Sequence, residues 1–218
     1  MKVLTERDDG RMWVKLCGFR DPELASVAVA EGADAVGVVM HGPSPRDCAP
    51  DAVPEIVDAT APVPVVAVVV DRPREELADL VATTGVAAVQ LCGTEAAADV
   101  AWLHANLAGI CVIRARRVPP SAAVWGTLES DGADAVLVDA DVDGQAGGSG
   151  VGLSWQRADC DAPVILAGGL DATNVVQAVR AAEPFGLDVS SALEVERGTK
   201  DRGRIREFMD AVRAAARR

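Results

Sequence analysis

The sequence predicts an α/β protein built as a single (β/α)₈ barrel, the TIM-barrel class, on three observations. Short runs rich in valine, alanine and isoleucine alternate with longer segments of helical period. The runs are apolar throughout, which is typical of parallel strands covered by helices. Eight such units fit within 218 residues, and this number favours a closed barrel over an open sheet.

The eight predicted strands are short, and most are followed by glycine, serine, aspartate or proline. They are WVKLC (13–17), AVGVV (35–39), PVVAVVV (64–70), AAVQL (87–91), GICVIR (109–114), AVLVD (135–139), PVILA (163–167) and FGLDV (185–189).

Helices are predicted between these strands and after the last one, at 22–31, 50–59, 74–84, 95–106, 121–129, 153–158, 173–182 and 202–217. The last helix has one apolar face, formed by Ile205, Phe208, Met209, Val212 and Ala216. The sequence contains no obvious linker or low-complexity tract. We therefore expect one domain over 1–218, with 1–12 as an irregular N-terminal extension.

The composition argues against several classes of partner. A formal net charge of −12 and a pI near 4.6 disfavour nucleic acid and anionic membrane surfaces, because both are bound through a cationic field. We find no signal peptide and no apolar run of roughly 18 residues, and expect a cytoplasmic protein. The five cysteines show no CxxC spacing, so we expect reduced thiols and no zinc site.

The chemistry of a barrel lies at the carboxyl ends of its strands. Cys17 ends the first predicted strand, Arg46 lies in the loop after the second, Gln90 lies at the end of the fourth and Asp139 ends the sixth. These residues also have structural interpretations. Cys17 could be a small buried hydrophobe, Asp139 a cap and Arg46 a solvated loop residue, while Gln90 could hydrogen-bond within the core.

Glycines and serines follow the last two strands. Gly168 and Gly169 come after the seventh strand, and Ser190 and Ser191 after the eighth. Backbone N–H groups and hydroxyls at this position often bind phosphate. The loop GQAGGSG (144–150), which contains Gly148 and Ser149, could touch the phosphate or close over it. It could equally be a mobile surface loop, and the glycines could serve turns alone.

Several short motifs occur in a characteristic order: VKLCG (14–18), SPR (44–46), VQLCG (89–93), VD followed by GGSG (138–150), LAGGL (166–170), DVSSALE (188–194) and GTKD (198–201). Together they resemble the phosphoribosylanthranilate isomerase family of tryptophan biosynthesis, over about residues 13–210. The resemblance implies an Amadori rearrangement of a phosphorylated ribosylamine, with no metal and no organic cofactor.

The resemblance also implies roles for individual residues. Cys17 would be the base that takes the C2′ proton, favoured as a thiolate by nearby cations or loop amides. Asp139 would be the acid that protonates the ring oxygen, although Asp141 and Asp143 compete for this role by position. Arg46 would bind the anthranilate carboxylate. Apart from the resemblance, we expect Gln90 on the inward face of its strand, where it would orient the acid or the sugar hydroxyls.

The chain departs from the family pattern at three notable positions. Cys92 stands where the family usually has histidine, Ala192 where it usually has glycine, and Arg20 where it commonly has threonine. A positive φ at Ala192 would cost about 1 kcal/mol. The substitutions keep two other functions open. One is a repurposed relative acting on a related anthranilate or amino-sugar phosphate, and the other is a barrel that binds a phosphorylated ligand without turnover.

Side-chain alternation predicts one specific contact. Residues two apart on a strand share a face, so Lys15 points the same way as Cys17, and Asp188 the same way as Ser190. An isolated buried ammonium would be too costly. We therefore expect Lys15 and Asp188 to form an ion pair between the first and last strands, within roughly 6 Å, if the barrel closes.

Overall fold

Eight parallel strands close into a barrel in the computed structural model, which describes residues 3–4, 11–118, 126–139 and 155–216. The strands are β1 (Trp13–Cys17), β2 (Ala35–Val39), β3 (Val65–Val69), β4 (Ala88–Leu91), β5 (Cys111–Arg117), β6 (Ala135–Asp139), β7 (Val164–Ala167) and β8 (Gly186–Val189). Their order around the barrel is β1-β8-β7-β6-β5-β4-β3-β2, with β2 beside β1. The predicted fold class is confirmed.

Six α-helices cover the described part of the barrel: α1 (Pro22–Ala30), α2 (Val53–Thr60), α3 (Arg74–Thr84), α4 (Ala97–Asn106), α5 (Val175–Ala182) and α6 (Arg202–Ala216). Local sequence fixes several of their ends. The Asp21 carboxylate accepts from the backbone N–H of Glu23 at 2.8 Å and so caps α1. Gly85 ends α3 with a φ of +73°, a conformation that glycine adopts without a steric penalty. Short 3₁₀ turns occupy Pro50–Ala52 and Ser191–Leu193.

Alternation along the strands separates two apolar layers. Side chains inside the barrel include Trp13, Ala35, Val66, Ala88, Ile113, Leu137 and Ile165. The residues between them on the strands pack outward against the helices. On α6, Ile205, Phe208, Met209 and Val212 are buried, as the predicted apolar face requires. None of the described helices combines the length and apolar content needed to cross a bilayer.

Two predicted helices are wrong where the structure describes them. Within the predicted helix 121–129, Thr127–Leu128 instead pairs in parallel with Asp159–Cys160, and residues 155–158 of the predicted helix 153–158 have no regular structure. Gly126 has a φ of +68°, which is incompatible with a helix at that point. Residues 121–125 and 153–154 lie outside the described residues.

Strand β5 begins and ends later than predicted. It covers Cys111–Arg117 rather than 109–114, because Gly109, with a φ of +77°, forms the preceding turn. Two arginines of this strand are paired with Asp131. Its carboxylate lies 3.3 Å from Arg114 Nε and also binds Arg116.

The amino-terminal end of the barrel interior is closed by Trp13. Its indole Nε1 donates to the Val3 carbonyl oxygen at 3.1 Å, and its ring lies 6.1 Å from the Phe185 ring between centroids. Gly186, the neighbour of Trp13 on β8, leaves room for the indole. A Cβ atom at Gly186 would lie 2.6 Å from Trp13 Cε3 and 2.8 Å from the Trp13 carbonyl oxygen.

We predict that Gly186→Ala lowers the free energy of unfolding by about 1–3 kcal/mol, because the added methyl group overlaps the Trp13 ring and backbone. Urea denaturation followed by circular dichroism measures the change. Gly42→Ala is the matched control, since a Cβ there meets no atom within 4 Å. A Gly186→Ala protein as stable as wild type would contradict this packing.

Candidate active site

The predicted catalytic side chains occupy inward positions at the carboxyl end of the barrel. Cys17 ends β1 and Asp139 ends β6. Trp13 and Leu137, which share the faces of these two residues, lie in the inner apolar layer. A thiol and a carboxyl group therefore approach the barrel mouth from two strands that are not neighbours.

Lys15 and Asp188 form the predicted ion pair across β1 and β8. The two residues are direct partners in the strand register, and Lys15 Nζ lies 2.7 Å from Asp188 Oδ1. The contact is a close ion pair rather than a well-aligned hydrogen bond. Burial works to lower the pKa of Lys15, but Asp188 and Cys17 together raise it above its ordinary value. The ammonium is therefore charged although it is fully buried.

The pKa of the Cys17 thiol is raised above its ordinary value. The sequence instead predicts that nearby cations or loop amides favour the thiolate. Burial is the main cause that raises the pKa of its thiol, and Asp188 adds to the rise. Lys15 and Lys200 oppose this change without cancelling it. Gly37 on β2 lies opposite Cys17, and a Cβ there would approach Cys17 Sγ to 2.6 Å. The sulfur thus depends on a glycine for its space.

Ser190 connects the first strand to the loop after the last. Its hydroxyl donates to the Cys17 carbonyl oxygen at 3.0 Å. Lys200 Nζ donates to the Ser190 carbonyl oxygen at 3.0 Å and lies 3.1 Å from the Ser190 hydroxyl. The same ammonium lies 5.8 Å from the centre of the Phe19 ring. Lys200 therefore braces the backbone beside Cys17.

Arg46 binds Glu194 through two parallel hydrogen bonds. Arg46 Nε donates to Oε1 at 2.6 Å, and Nη2 donates to Oε2 at 2.8 Å. Glu194 also accepts from Lys200 Nζ at 2.7 Å and from the Gly198 backbone N–H at 3.1 Å. Glu194–Glu196 and Thr199–Lys200 form an antiparallel pair, which places the two charged residues side by side.

These contacts set the protonation states of the two residues. Burial works to raise the pKa of Glu194, but hydrogen bonds from Arg46 and Lys200 lower it to about 2. Burial lowers the pKa of Lys200 below its ordinary value, and Glu194 limits that change. The Glu194 carboxylate is thus ionised throughout the neutral range.

Gln90 is buried on β4, on the same face as Ala88 of the inner layer. Its Nε2 donates to Cys92 Sγ at 3.2 Å. Its Oε1 is buried and has no hydrogen-bond partner among the described residues. Burial raises the pKa of Cys92 to about 11, so this thiol stays neutral.

The predicted phosphate-binding residues are described only in part. Gly168 and Gly169 both have positive φ values, +84° and +61°, in the turn after β7. Ser191 begins the 3₁₀ turn Ser191–Leu193, and Ala192 within it is not among the residues with positive φ. The strain considered for alanine at that position is therefore absent. Gly148 and Ser149 lie outside the described residues, as does the whole loop 144–150.

Arg20, at the position where the family commonly has threonine, contacts the loop after β8. Its Nη2 donates to the Gly198 carbonyl oxygen at 3.0 Å, so it joins the same loop that holds Glu194 and Lys200.

Sequence reasoning missed Gly37, Glu194 and Lys200. The last two lie in the quoted motifs DVSSALE and GTKD, but no role was assigned to them. The signal that could have found them is the pattern Glu-x-x-x-Gly-x-Lys, because a glycine turn between two short strands brings the charges together.

The fold and the mouth define a (β/α)₈ barrel whose acid, thiol and arginine come from different strand ends, the arrangement of an active site in this architecture. Among the residues the structure describes, no group of three or more His, Cys, Asp or Glu side chains could hold a metal ion.

Comparison with known proteins gives the family. The family model described as N-(5′phosphoribosyl)anthranilate (PRA) isomerase matches residues 14–211. The N-(5′-phosphoribosyl)anthranilate isomerase of Pseudomonas aeruginosa strain UCBPP-PA14 is 36% identical over 208 residues, which cover 94% of this chain and 96% of that protein. The chain belongs to the PRA isomerase family, so the predicted family, the isomerase class and the link to tryptophan biosynthesis are confirmed.

Solved structures agree with this assignment. TrpF from Jonesia denitrificans has a TM-score of 0.79 and 31% identity, and the match covers 94% of this chain and 98% of that one. A phosphoribosyl anthranilate isomerase in complex with reduced 1-(o-carboxyphenylamino)-1-deoxyribulose 5-phosphate has a TM-score of 0.76 and 27% identity, with 93% and 99% covered.

We predict that Lys15→Met lowers the free energy of unfolding by about 3–5 kcal/mol, because it leaves the Asp188 carboxylate buried without its cation. The double variant Lys15→Met/Asp188→Leu should recover much of this loss, since it removes both charges. Chemical denaturation measures both. Arg157→Met is the control, because it breaks an exposed ion pair to Glu183 and should cost no more than about 1 kcal/mol. If Lys15→Met lowers the free energy of unfolding no more than the control does, the buried pair does not stabilise the contact between β1 and β8.

Proposed function

We propose that this protein catalyses the Amadori rearrangement of N-(5′-phosphoribosyl)anthranilate to 1-(2-carboxyphenylamino)-1-deoxyribulose 5-phosphate. The observation that carries the proposal is the inward position of Cys17 and Asp139 at the carboxyl ends of β1 and β6. Membership of the PRA isomerase family supports it. We further propose that the chain acts as one domain over 1–218 in the cytoplasm, without a cofactor.

Asp139 and Cys17 divide the proton transfers. Asp139 protonates the ring oxygen, the C1′–O bond breaks, and the nitrogen lone pair forms the iminium ion. The Cys17 thiolate then removes the C2′ proton, and the electrons of that bond form the enolamine. Ketonisation, with proton uptake at C1′, gives the product. No atom is gained or lost, as an isomerisation requires.

The remaining residues bind the two anionic ends of the substrate. Gly168, Gly169, Ser190 and Ser191 would bind the phosphate, with Gly148 and Ser149 contributing from the loop 144–150. Arg46 would bind the anthranilate carboxylate. These anions approach a protein of net charge −12, so the cations of the mouth, Arg46 and Lys200, supply the local attraction.

Gln90 would orient the sugar. Its Nε2 is held by Cys92, and its buried Oε1 can accept a hydrogen bond from a substrate hydroxyl. Cys92, at the position where the family usually has histidine, thus serves as a neutral hydrogen-bond partner of Gln90. This contact gives the departure from the family pattern a role that is compatible with the usual substrate.

We predict that Cys17→Ala and Asp139→Asn each reduce turnover by about 10²- to 10⁴-fold, because each removes one of the two proton-transferring groups. The assay generates the unstable ribosylamine in situ and follows the loss of anthranilate-type fluorescence. Cys160→Ala is the matched control, because Cys160 lies in the short strand Asp159–Cys160 outside the barrel, and its turnover should equal that of wild type. Equal rates in wild type and both site variants would refute the mechanism.

We also predict the pH range in which the Cys17 thiol ionises. Because burial raises the pKa of Cys17, the thiolate fraction of the free enzyme increases with pH above the neutral range. The ultraviolet absorbance of the Cys17 thiolate, taken as the difference between wild type and Cys17→Ala, should therefore still be rising at about pH 8.5, the ordinary pKa of a cysteine. A plateau already reached at neutral pH would show that the base has a lowered pKa instead.

A further inference from the structure

We propose that Glu194 is a positioning residue for the substrate carboxylate, and that it acts by fixing Arg46. Lys200 forms a second ion pair with Glu194. The three residues are held together by the mouth hairpin (residues 194–200). This inference rests on the proposed function, because it takes Arg46 as the group that receives the anthranilate carboxylate.

The geometry of the Arg46 contact fixes the direction of its guanidinium. Glu194 binds the Nε–Nη2 edge through two hydrogen bonds of 2.6 and 2.8 Å. A guanidinium is planar and has a second edge, Nη1–Nη2, which by its geometry points away from the group bound to the first. A carboxylate held on one edge therefore sets the orientation in which the other edge meets a second carboxylate.

Exposure indicates which of the two partners meets a ligand. The Glu194 side chain is 4% exposed, whereas the Arg46 side chain is 20% exposed. Of the two side chains, Arg46 is therefore the more accessible to an incoming anion. This arrangement favours a supporting role for Glu194 over competition with the substrate.

Lys200 adds a second cation to the Arg46–Glu194 pair. Arg46 and Lys200 surround one carboxylate, so the three groups together carry one net positive charge. The low pKa of Glu194, about 2, agrees with a carboxylate that stays ionised between two cations. Without Lys200, the Arg46–Glu194 pair would be neutral, and its pull on a carboxylate would be weaker.

Hydrogen bonds also connect Glu194 to the backbone of Cys17, the proposed base. Lys200 Nζ, which binds Glu194, donates to the Ser190 carbonyl oxygen, and the Ser190 hydroxyl donates to the Cys17 carbonyl oxygen. Gly18 leaves room for this network, since a Cβ there would lie 2.8 Å from Arg46 Cδ and 2.9 Å from Ser190 Oγ. Arg46, which would bind the substrate carboxylate, and Cys17, the proposed base, are thus joined by one network of hydrogen bonds.

Glu194→Gln tests the proposal, because it keeps the shape of the side chain and removes its charge. We expect KM to rise about tenfold to a hundredfold, as for the loss of a charge-assisted hydrogen bond that positions a binding group. The value of kcat should change little, because the contact to the carboxylate is made in both ground state and transition state. In an Arg46→Met background the same substitution should change KM less than about twofold, since Glu194 acts through Arg46.

A substrate analogue without the carboxylate separates positioning from a general structural role. The ribosylamine made from aniline in place of anthranilate should show equal KM values with wild type and Glu194→Gln. Glu31→Gln is the matched control, because Glu31 also binds two arginines, Arg206 and Arg213, but on the outer helices. Its KM for both substrates should match wild type.

The double variant Glu194→Gln/Lys200→Met covers the case in which a single change prevents folding, because it removes one charge of each sign. Its KM should rise at least as much as that of Glu194→Gln, because it also loses the attraction of Lys200 for the anion. A KM that is unchanged or lowered in either variant, with an active wild type, overturns the inference and leaves the proposed function standing. A wild type without turnover instead overturns the proposed function.

Discussion

The closure of the barrel between β1 and β8 is the constraint on which the site depends. The register pairs Lys15 directly with Asp188, and their charges meet at 2.7 Å, with Lys15 fully buried. Breaking such a pair by removing one partner is strongly destabilising, while the intact pair is tolerated. The seam therefore holds the first and last strands in one register, and that register places Cys17 beside Ser190 at the mouth.

The same register explains how distant parts of the chain build one surface. From Ser190 the chain turns into the mouth hairpin, whose Lys200 returns to the Ser190 backbone and whose Glu194 reaches Arg46 after β2. Residues from both ends of the barrel sequence thus converge next to the thiol. Because each link is a hydrogen bond of 3.1 Å or less, a shift at the seam would be passed on to Arg46.

Periodic features of this molecule could be predicted from the sequence, and irregular ones could not. Strands β1, β2 and β6 have the predicted ends, and the Lys15–Asp188 contact follows from alternation with closure. The helix at 121–129 failed because a left-handed glycine overrides a weak helical pattern. Glu194 and Lys200 escaped assignment because the path of a loop, rather than a repeat, brings them to Arg46. The pKa of Cys17 escaped because burial, the largest effect, depends on packing.

That raised pKa is consistent with the chemistry of a base that must remove a proton from carbon. The two cations near Cys17 each lie against a carboxylate, Lys15 against Asp188 and Lys200 against Glu194. Their help to the thiolate is therefore reduced, and burial dominates. A thiolate of higher pKa is scarcer at neutral pH but more basic once formed, and proton transfer from a weakly acidic carbon gains from that basicity. Asp188, which pairs with Lys15 across β1 and β8, thereby also contributes to the strength of the base.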